Sequence, residues 1–187
     1  MMFVGHFAVA FGAKRAVPAV SLGTLFIAGQ LADLVWPLLV IAGIERVAVQ
    51  PGLTVVTPLD FVYYPFSHSL VAAAAWALVF GAAYMGLRKA GLRTGIVLAL
   101  VVASHWVLDA LTHRPDMPLT VSADSPRVGL GLWNSLAATM AVELLLFGAG
   151  LWLYTKATKA VDRTGRLALW GLVVFLLIIY VANLFGP

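Results

Sequence analysis

Five stretches of this chain, residues 19–44, 67–87, 94–112, 130–155 and 167–186, are each long and apolar enough to cross a hydrocarbon core. Such a crossing takes about 20 mostly apolar residues in a helix. Lipid offers the backbone no water to bond with, and a helix satisfies its own N–H and C=O groups. The sequence therefore predicts an all-α fold, a polytopic transmembrane helical bundle of five long spans plus a short N-terminal membrane helix, with residues 1–187 forming one integral-membrane domain. The short helix is the stretch 1–13, apolar apart from His6 and closed off by Lys14, Arg15 and Pro18. Composition agrees: 62% of the 187 residues are hydrophobic and 11% charged, against about 25% charged in soluble domains. A soluble core of this size would lack polar sequence to cover it. The absence of cysteine excludes disulfides, thiolate catalysis and cysteine-bound zinc or iron–sulfur sites.

Basic residues fix an expected orientation, because Lys and Arg near span ends stay on the cytoplasmic side. Lys14, Arg15, Arg88, Lys89, Arg93, Lys156, Lys159, Arg163 and Arg166 fall on one side, and only Arg46, Arg114 and Arg127 on the other. Loops 45–66 and 113–129 and the C-terminus are then extracytoplasmic, in a bacterial-type inner (plasma) membrane. Since the basic residues occupy short loops rather than one face, membrane lipids are the expected partners and nucleic acid is not. Ala8-Val9-Ala10 imitates a signal-peptide cleavage site, yet no basic residue precedes the apolar run, so the segment is expected to be retained. The aromatic run Phe61-Val62-Tyr63-Tyr64-Pro65-Phe66 reads first as an interfacial belt, and second as a lid.

An ionisable side chain at the centre of a membrane helix costs about 2.5–3.5 kcal/mol, so each one needs a reason. Here they are Asp33, His68, His105, Asp109 and Glu143, with His6 in the short segment. At about 1.5 Å per residue from the nearest cytoplasmic charge, they converge on the middle and outer half of the bilayer, leaving the inner half nearly bare. His105 and Asp109 stand four apart in Ser104-His105-Trp106-Val107-Leu108-Asp109 and so share a helix face. Two carboxylates and neutral histidines form a shell that one divalent metal ion neutralises. Zinc suits this nitrogen and oxygen set best, with manganese, iron, cobalt and nickel as alternatives. Glu143 is then a catalytic base, a bridge to a second metal, or simply a partner for Asn134, Ser135 or a neighbouring helix. Taken singly, His68 reads as an interfacial histidine and Asp33 as a helix-pairing residue. The last span, without ionisable groups, reads as lipid-facing scaffold.

Gly5-His6 with Gly12, Asp33 after an apolar stretch, Ser67-His68-Ser69-Leu70, and Ser104-His105 leading to Asp109-Ala110-Leu111-Thr112 resemble the LexA-regulated, inner-membrane metal-dependent hydrolase family, in order and spacing over residues 1–115. The resemblance implies His6, Asp33, His68, His105 and Asp109 as the metal set. The family commonly carries a second acidic residue near the position of Asp33, where this chain has Leu31 and Val35. It also has a more basic approach to the His-Ser motif than Tyr63-Tyr64-Pro65-Phe66.

Beyond the His105–Asp109 helix, Arg114 is placed to bind an anionic substrate head group, or else to pair with Asp116 and shape the loop. His113 could join the metal, and Asn134 and Ser135 could support Glu143. The expected function is a membrane-embedded, metal-dependent hydrolase that uses metal-activated water near the outer leaflet on an ester, amide or phosphoester of an amphiphilic, lipid-like substrate. The alternatives are a metal-ion or small-solute transporter, a haem protein ligated by His68 and His105, and a structural protein whose buried groups pair helices. A single polar level disfavours transport, which needs polar steps through both halves of the membrane.

Overall fold

The computed structural model describes residues 2–185; Gly186, which ends the fifth predicted span, and the C-terminus lie outside the described residues. Eight α-helices dominate: α1 (Val4–Ala13), α2 (Leu22–Gly29), α3 (Leu31–Ile41), α4 (Pro65–His68), α5 (Leu70–Arg88), α6 (Leu92–Thr112), α7 (Leu136–Ala157) and α8 (Arg163–Phe185). The chain is an all-α helical membrane bundle. Four helices, α5 to α8, are each long and apolar enough to cross a membrane. α1 is half that length, about 15 Å at 1.5 Å per residue, and is apolar apart from His6.

The stretch 19–44 departs from a single straight span. It is two helices, α2 and α3, meeting at Gln30 with a bend of 54°. α2 is capped by Ser21, whose Oγ accepts the N–H of Thr24, and it buries Leu25, Ala28 and Gly29. α3 has no fully buried residue and holds Pro37 in its interior. The span predicted over 130–155 is also shorter than expected. Gly131 takes a left-handed backbone, residues Leu132–Asn134 form one 3-10 turn, and α7 begins after Ser135.

Close approach between helices rests on glycine, as lipid-embedded packing favours. A Cβ on Gly81 of α5 would lie 2.7 Å from the Gly95 carbonyl oxygen of α6, and one on Gly150 of α7 would collide with the Ala8 backbone of α1. Around that second contact, Phe11 meets Phe26, Phe147 and Tyr154 edge-on.

At the end opposite the basic loops, two small ribbons form a cap. β1 (Arg46–Val49) pairs antiparallel with β2 (Leu59–Tyr63), and β3 (Met117–Pro118) with β4 (Arg127–Val128). Phe61 and Tyr64 of the aromatic run are buried there with Met117 and Trp133, while Val62 and Phe66 are exposed. The belt expectation is therefore corrected for Phe61 and Tyr64, which form the core of the cap. The cap is also tied by polar contacts. Arg114 donates from Nε to Asp116 at 2.9 Å and pairs through Nη2 with Asp60 of β2. His113 and Tyr64 both contact the other Asp116 oxygen, at 2.9 and 3.1 Å. Burial pulls the His113 imidazole below its ordinary pKa. For Asp116, burial works the other way, but the bonds from His113, Arg114 and Tyr64 outweigh it and hold the carboxyl below its usual range.

Candidate metal centre

Four side chains from three parts of the chain converge beneath the cap: Asp33 on the first turn of α3, His68 at the end of α4, and His105 and Asp109 on successive turns of α6. Each is positioned locally. The bend at Gln30 swings Asp33 toward α6. Pro65 opens the single turn of α4, and Ser69 both ends that turn and caps α5, its Oγ accepting the N–H of Ala72, which holds His68 at a corner.

Asp33 Oδ1 lies 3.3 Å from His68 Nε2 and 3.4 Å from His105 Nε2. Asp109 Oδ2 lies 3.6 and 3.2 Å from the same two nitrogens. All four atoms fall within 4.8 Å of one another. Zinc bonds to histidine and carboxylate are about 2.0–2.2 Å, and a tetrahedron on such bonds has edges of about 3.3–3.6 Å. The four separations match that edge length.

Hydrogen bonding behind the histidines makes Nδ1 the donor in each ring. His105 Nδ1 is 2.8 Å from the Gly29 carbonyl, which the helix bend leaves facing α6. It donates there, and in the neutral ring Nε2 then presents a lone pair to the carboxylates. His68 Nδ1 is 2.7 Å from Ser67 Oγ. The Ser67 hydroxyl gives its own proton to Glu45 Oε2 at 2.6 Å, so it accepts from His68, and in the neutral ring His68 Nε2 also turns a lone pair inward. Glu45 is locked in turn by the N–H groups of Phe66 and Ser67, at 2.8 and 2.9 Å. In neutral rings, lone pairs and anionic oxygens thus face each other in a largely buried site, an arrangement that a cation between them would relieve.

Unpaired atoms point the same way. His105 Nε2 and Asp109 Oδ2 are buried and have no hydrogen-bond partner among the described residues. A buried cluster of this composition could bind a divalent metal, and the donor set fits one.

His6 sits behind this group. Its Nε2 is 3.1 Å from Asp109 Oδ1, the oxygen turned away from the four-atom cluster, and its ring stacks on His105 with centroids 3.8 Å apart and planes 7° from parallel. Asp109 Oδ1 also accepts the N–H of Met2 at 3.2 Å. Glu143, buried on α7, receives the start of α1: its Oε2 accepts the N–H groups of Phe3 at 2.8 Å and Gly5 at 3.2 Å. α1 has no capping side chain of its own, so Glu143 caps it from the neighbouring helix. Asn134 and Ser135 do not take part. Both are exposed, and Ser135 caps α7 by accepting the N–H of Ala138. His113 belongs to the cap, not the cluster, and Arg114 is engaged by two carboxylates there.

A cavity of about 320 Å³ opens beside the cluster. Asp33 and Glu143 line it together with Thr57, Tyr180 and Asn183. α8, expected as scaffold, therefore forms one wall. Sequence reasoning missed Glu45, Ser67 as its link to His68, Gly29 and Tyr180. Glu45 alone carried a signal, an acidic residue immediately beyond an apolar stretch.

Fold and site together define a polytopic helical membrane protein with a candidate divalent-metal centre. No known protein family, curated protein or solved structure matches the chain, so its geometry carries the functional argument.

Proposed function

We propose that the chain is a membrane-embedded, metal-dependent hydrolase of amphiphilic substrates. The observation that carries this reading is the position of Asp33. Its Oδ1 belongs to the four-atom cluster, while the same residue lines a cavity shared with Glu143. A metal site meant only to pair helices needs no such opening, and catalytic sites keep one face accessible. Asp33, His68, His105 and Asp109 would hold the ion, with zinc the best match to the donors. His6 would steady Asp109 and His105 from behind. A divalent ion there supplies Lewis acidity and a lowered pKa for water. Glu143 faces the same cavity and has one carboxylate oxygen beyond the one bound to α1, which suits a proton carrier between water and leaving group.

The positive-inside pattern supports a cavity opening toward the extracytoplasmic leaflet of a bacterial-type inner membrane, with membrane lipids as surroundings. The sequence resemblance to the LexA-regulated metal-dependent hydrolases supports the same chemistry. The test pairs elemental analysis of purified protein with a screen of lipid-like esters, amides and phosphoesters. Hydrolysis that requires metal, Asp109 and Glu143 is expected. A metal-loaded protein that moves solute across proteoliposomes and hydrolyses nothing would overturn the reading.

A further inference from the structure

The cavity beside the cluster carries information on what it binds. The polar residues along it are Asp33, Glu143, Thr57, Tyr180 and Asn183. The rest is apolar, with Phe3, Leu59 and Leu184 among the lining residues. No lysine or arginine side chain contributes among the described residues, and Arg114 in the cap is held by Asp60 and Asp116. An anionic phosphate head group would be expected to meet guanidinium or ammonium groups.

Tyr180 supplies an independent sign of a ligand. It is 2% exposed, it lines the cavity, and its hydroxyl is buried with no hydrogen-bond partner among the described residues. A phenol in that position carries a desolvation penalty that a bound acceptor would relieve. It is otherwise an unexplained polar atom on a helix with no ionisable group in its apolar stretch.

From these we infer that the cavity binds the uncharged polar head of an acyl amphiphile, a carboxylic ester or amide and not a phosphoester, with the Tyr180 hydroxyl donating to an oxygen of that head. The inference rests on the hydrolase reading for its chemistry and narrows its substrate class. Hydrolysis of such a molecule adds water across the acyl C–O or C–N bond, releasing a carboxylic acid and an alcohol or amine. Glu143 would carry the proton to the departing oxygen or nitrogen.

The experiment uses full-length, zinc-loaded protein in phosphatidylcholine nanodiscs, titrated calorimetrically with probes of equal chain length: lauroyl ethanolamide (neutral), lauryl phosphate (anionic) and laurylammonium (cationic). Release of lauric acid is followed separately. The neutral probe is expected to bind at least tenfold tighter than either charged one. Tyr180→Phe should weaken it about five- to tenfold with metal content unchanged. Should Tyr180→Phe lose metal or fold, Asn183→Ala at the exposed rim replaces it, with the same weakening expected. Tighter binding of lauryl phosphate or laurylammonium, or unchanged affinity in the folded variant, would overturn the inference. Tyr180-dependent binding with no lauric acid released retains it and removes the hydrolase reading. Lauric acid release at the wild-type rate and affinity from Tyr180→Phe does the reverse.

Discussion

His105 Nε2 and Asp109 Oδ2 lie 3.2 Å apart on successive turns of α6, yet neither satisfies a hydrogen bond. His105 donates its Nδ1 proton to the Gly29 carbonyl, so in the neutral ring the facing atoms are a lone pair and a carboxylate oxygen. They are aimed at a shared point with Asp33 and His68, not at each other. Without a cation this is a costly arrangement in an apolar span, and with one it is a ligand set.

The Glu45–Ser67–His68 chain is expected to act through metal affinity. Ser67→Ala removes the acceptor of the His68 Nδ1 proton while leaving all four ligand atoms. Affinity measured by competition with a chelator should fall about 10–100-fold, the usual effect of losing such support. Glu45→Gln should give a smaller loss, since its amide oxygen still accepts from the Phe66 and Ser67 N–H groups. Unchanged affinity in Ser67→Ala would mean that the orientation of His68 is set by packing alone.

Glu143 caps α1, and in the proposed hydrolase it would also carry a proton. Glu143→Leu strands the Phe3 and Gly5 N–H groups in a buried position, at about 1–3 kcal/mol for each unsatisfied group, and thermal stability should drop accordingly. Glu143→Gln keeps an acceptor for α1 but cannot carry a proton. It should stay near wild-type stability with hydrolysis abolished. Full activity in Glu143→Gln would leave this residue with the capping task only.

Acid should loosen the cap before it unfolds the bundle. Burial holds the His113 pKa down, so the unfolded cap, with histidine near 6.5, binds the extra proton first as pH falls. The stability due to neutral His113 is therefore present above about pH 6.5 and lost progressively below it. The depressed Asp116 contributes in the same direction but at lower pH, since its share persists until the pH falls through its folded pKa. Hydrogen-exchange protection factors across residues 46–63, corrected for the intrinsic pH dependence of exchange, should fall between pH 7.5 and 5.5, and His113→Gln should flatten that fall. Equal pH dependence in the variant would place the responsible group elsewhere.

Gly150 sets the distance between α1 and α7. Because a Cβ there meets the Ala8 backbone rather than a movable side chain, Gly150→Leu should displace α1, and with it His6 and the contacts of Glu143. Metal binding should weaken although Gly150 lies outside the site. Gly86→Leu, which meets open space, serves as the control and should bind metal normally.

How much of this could be read from the chain depends on range. His105 and Asp109 declare themselves because a spacing of four is local geometry, and Asp33 and His68 because an ionisable residue in an apolar run demands a partner. The bundle follows from the apolar stretches for the same reason. The 54° bend at Gln30 was not legible, since one polar residue within an apolar stretch does not by itself mark a break between helices. Glu45 escaped notice because it sits at a span end, where an acidic residue is ordinarily solvated. Tyr180 escaped because a tyrosine in an apolar helix is unremarkable until its hydroxyl is found unpaired. The cap was read as loops with an interfacial belt or lid, as its strands are only two to five residues long.

Metal stoichiometry decides whether Asp33, His68, His105 and Asp109 form a metal site. Elemental analysis of chelator-washed, remetallated protein should find one divalent transition-metal ion per chain in the wild type. It should find almost none in His105→Ala and Asp109→Ala variants that retain wild-type helicity. Wild-type protein that is folded and stable yet takes up no metal would contradict such a site.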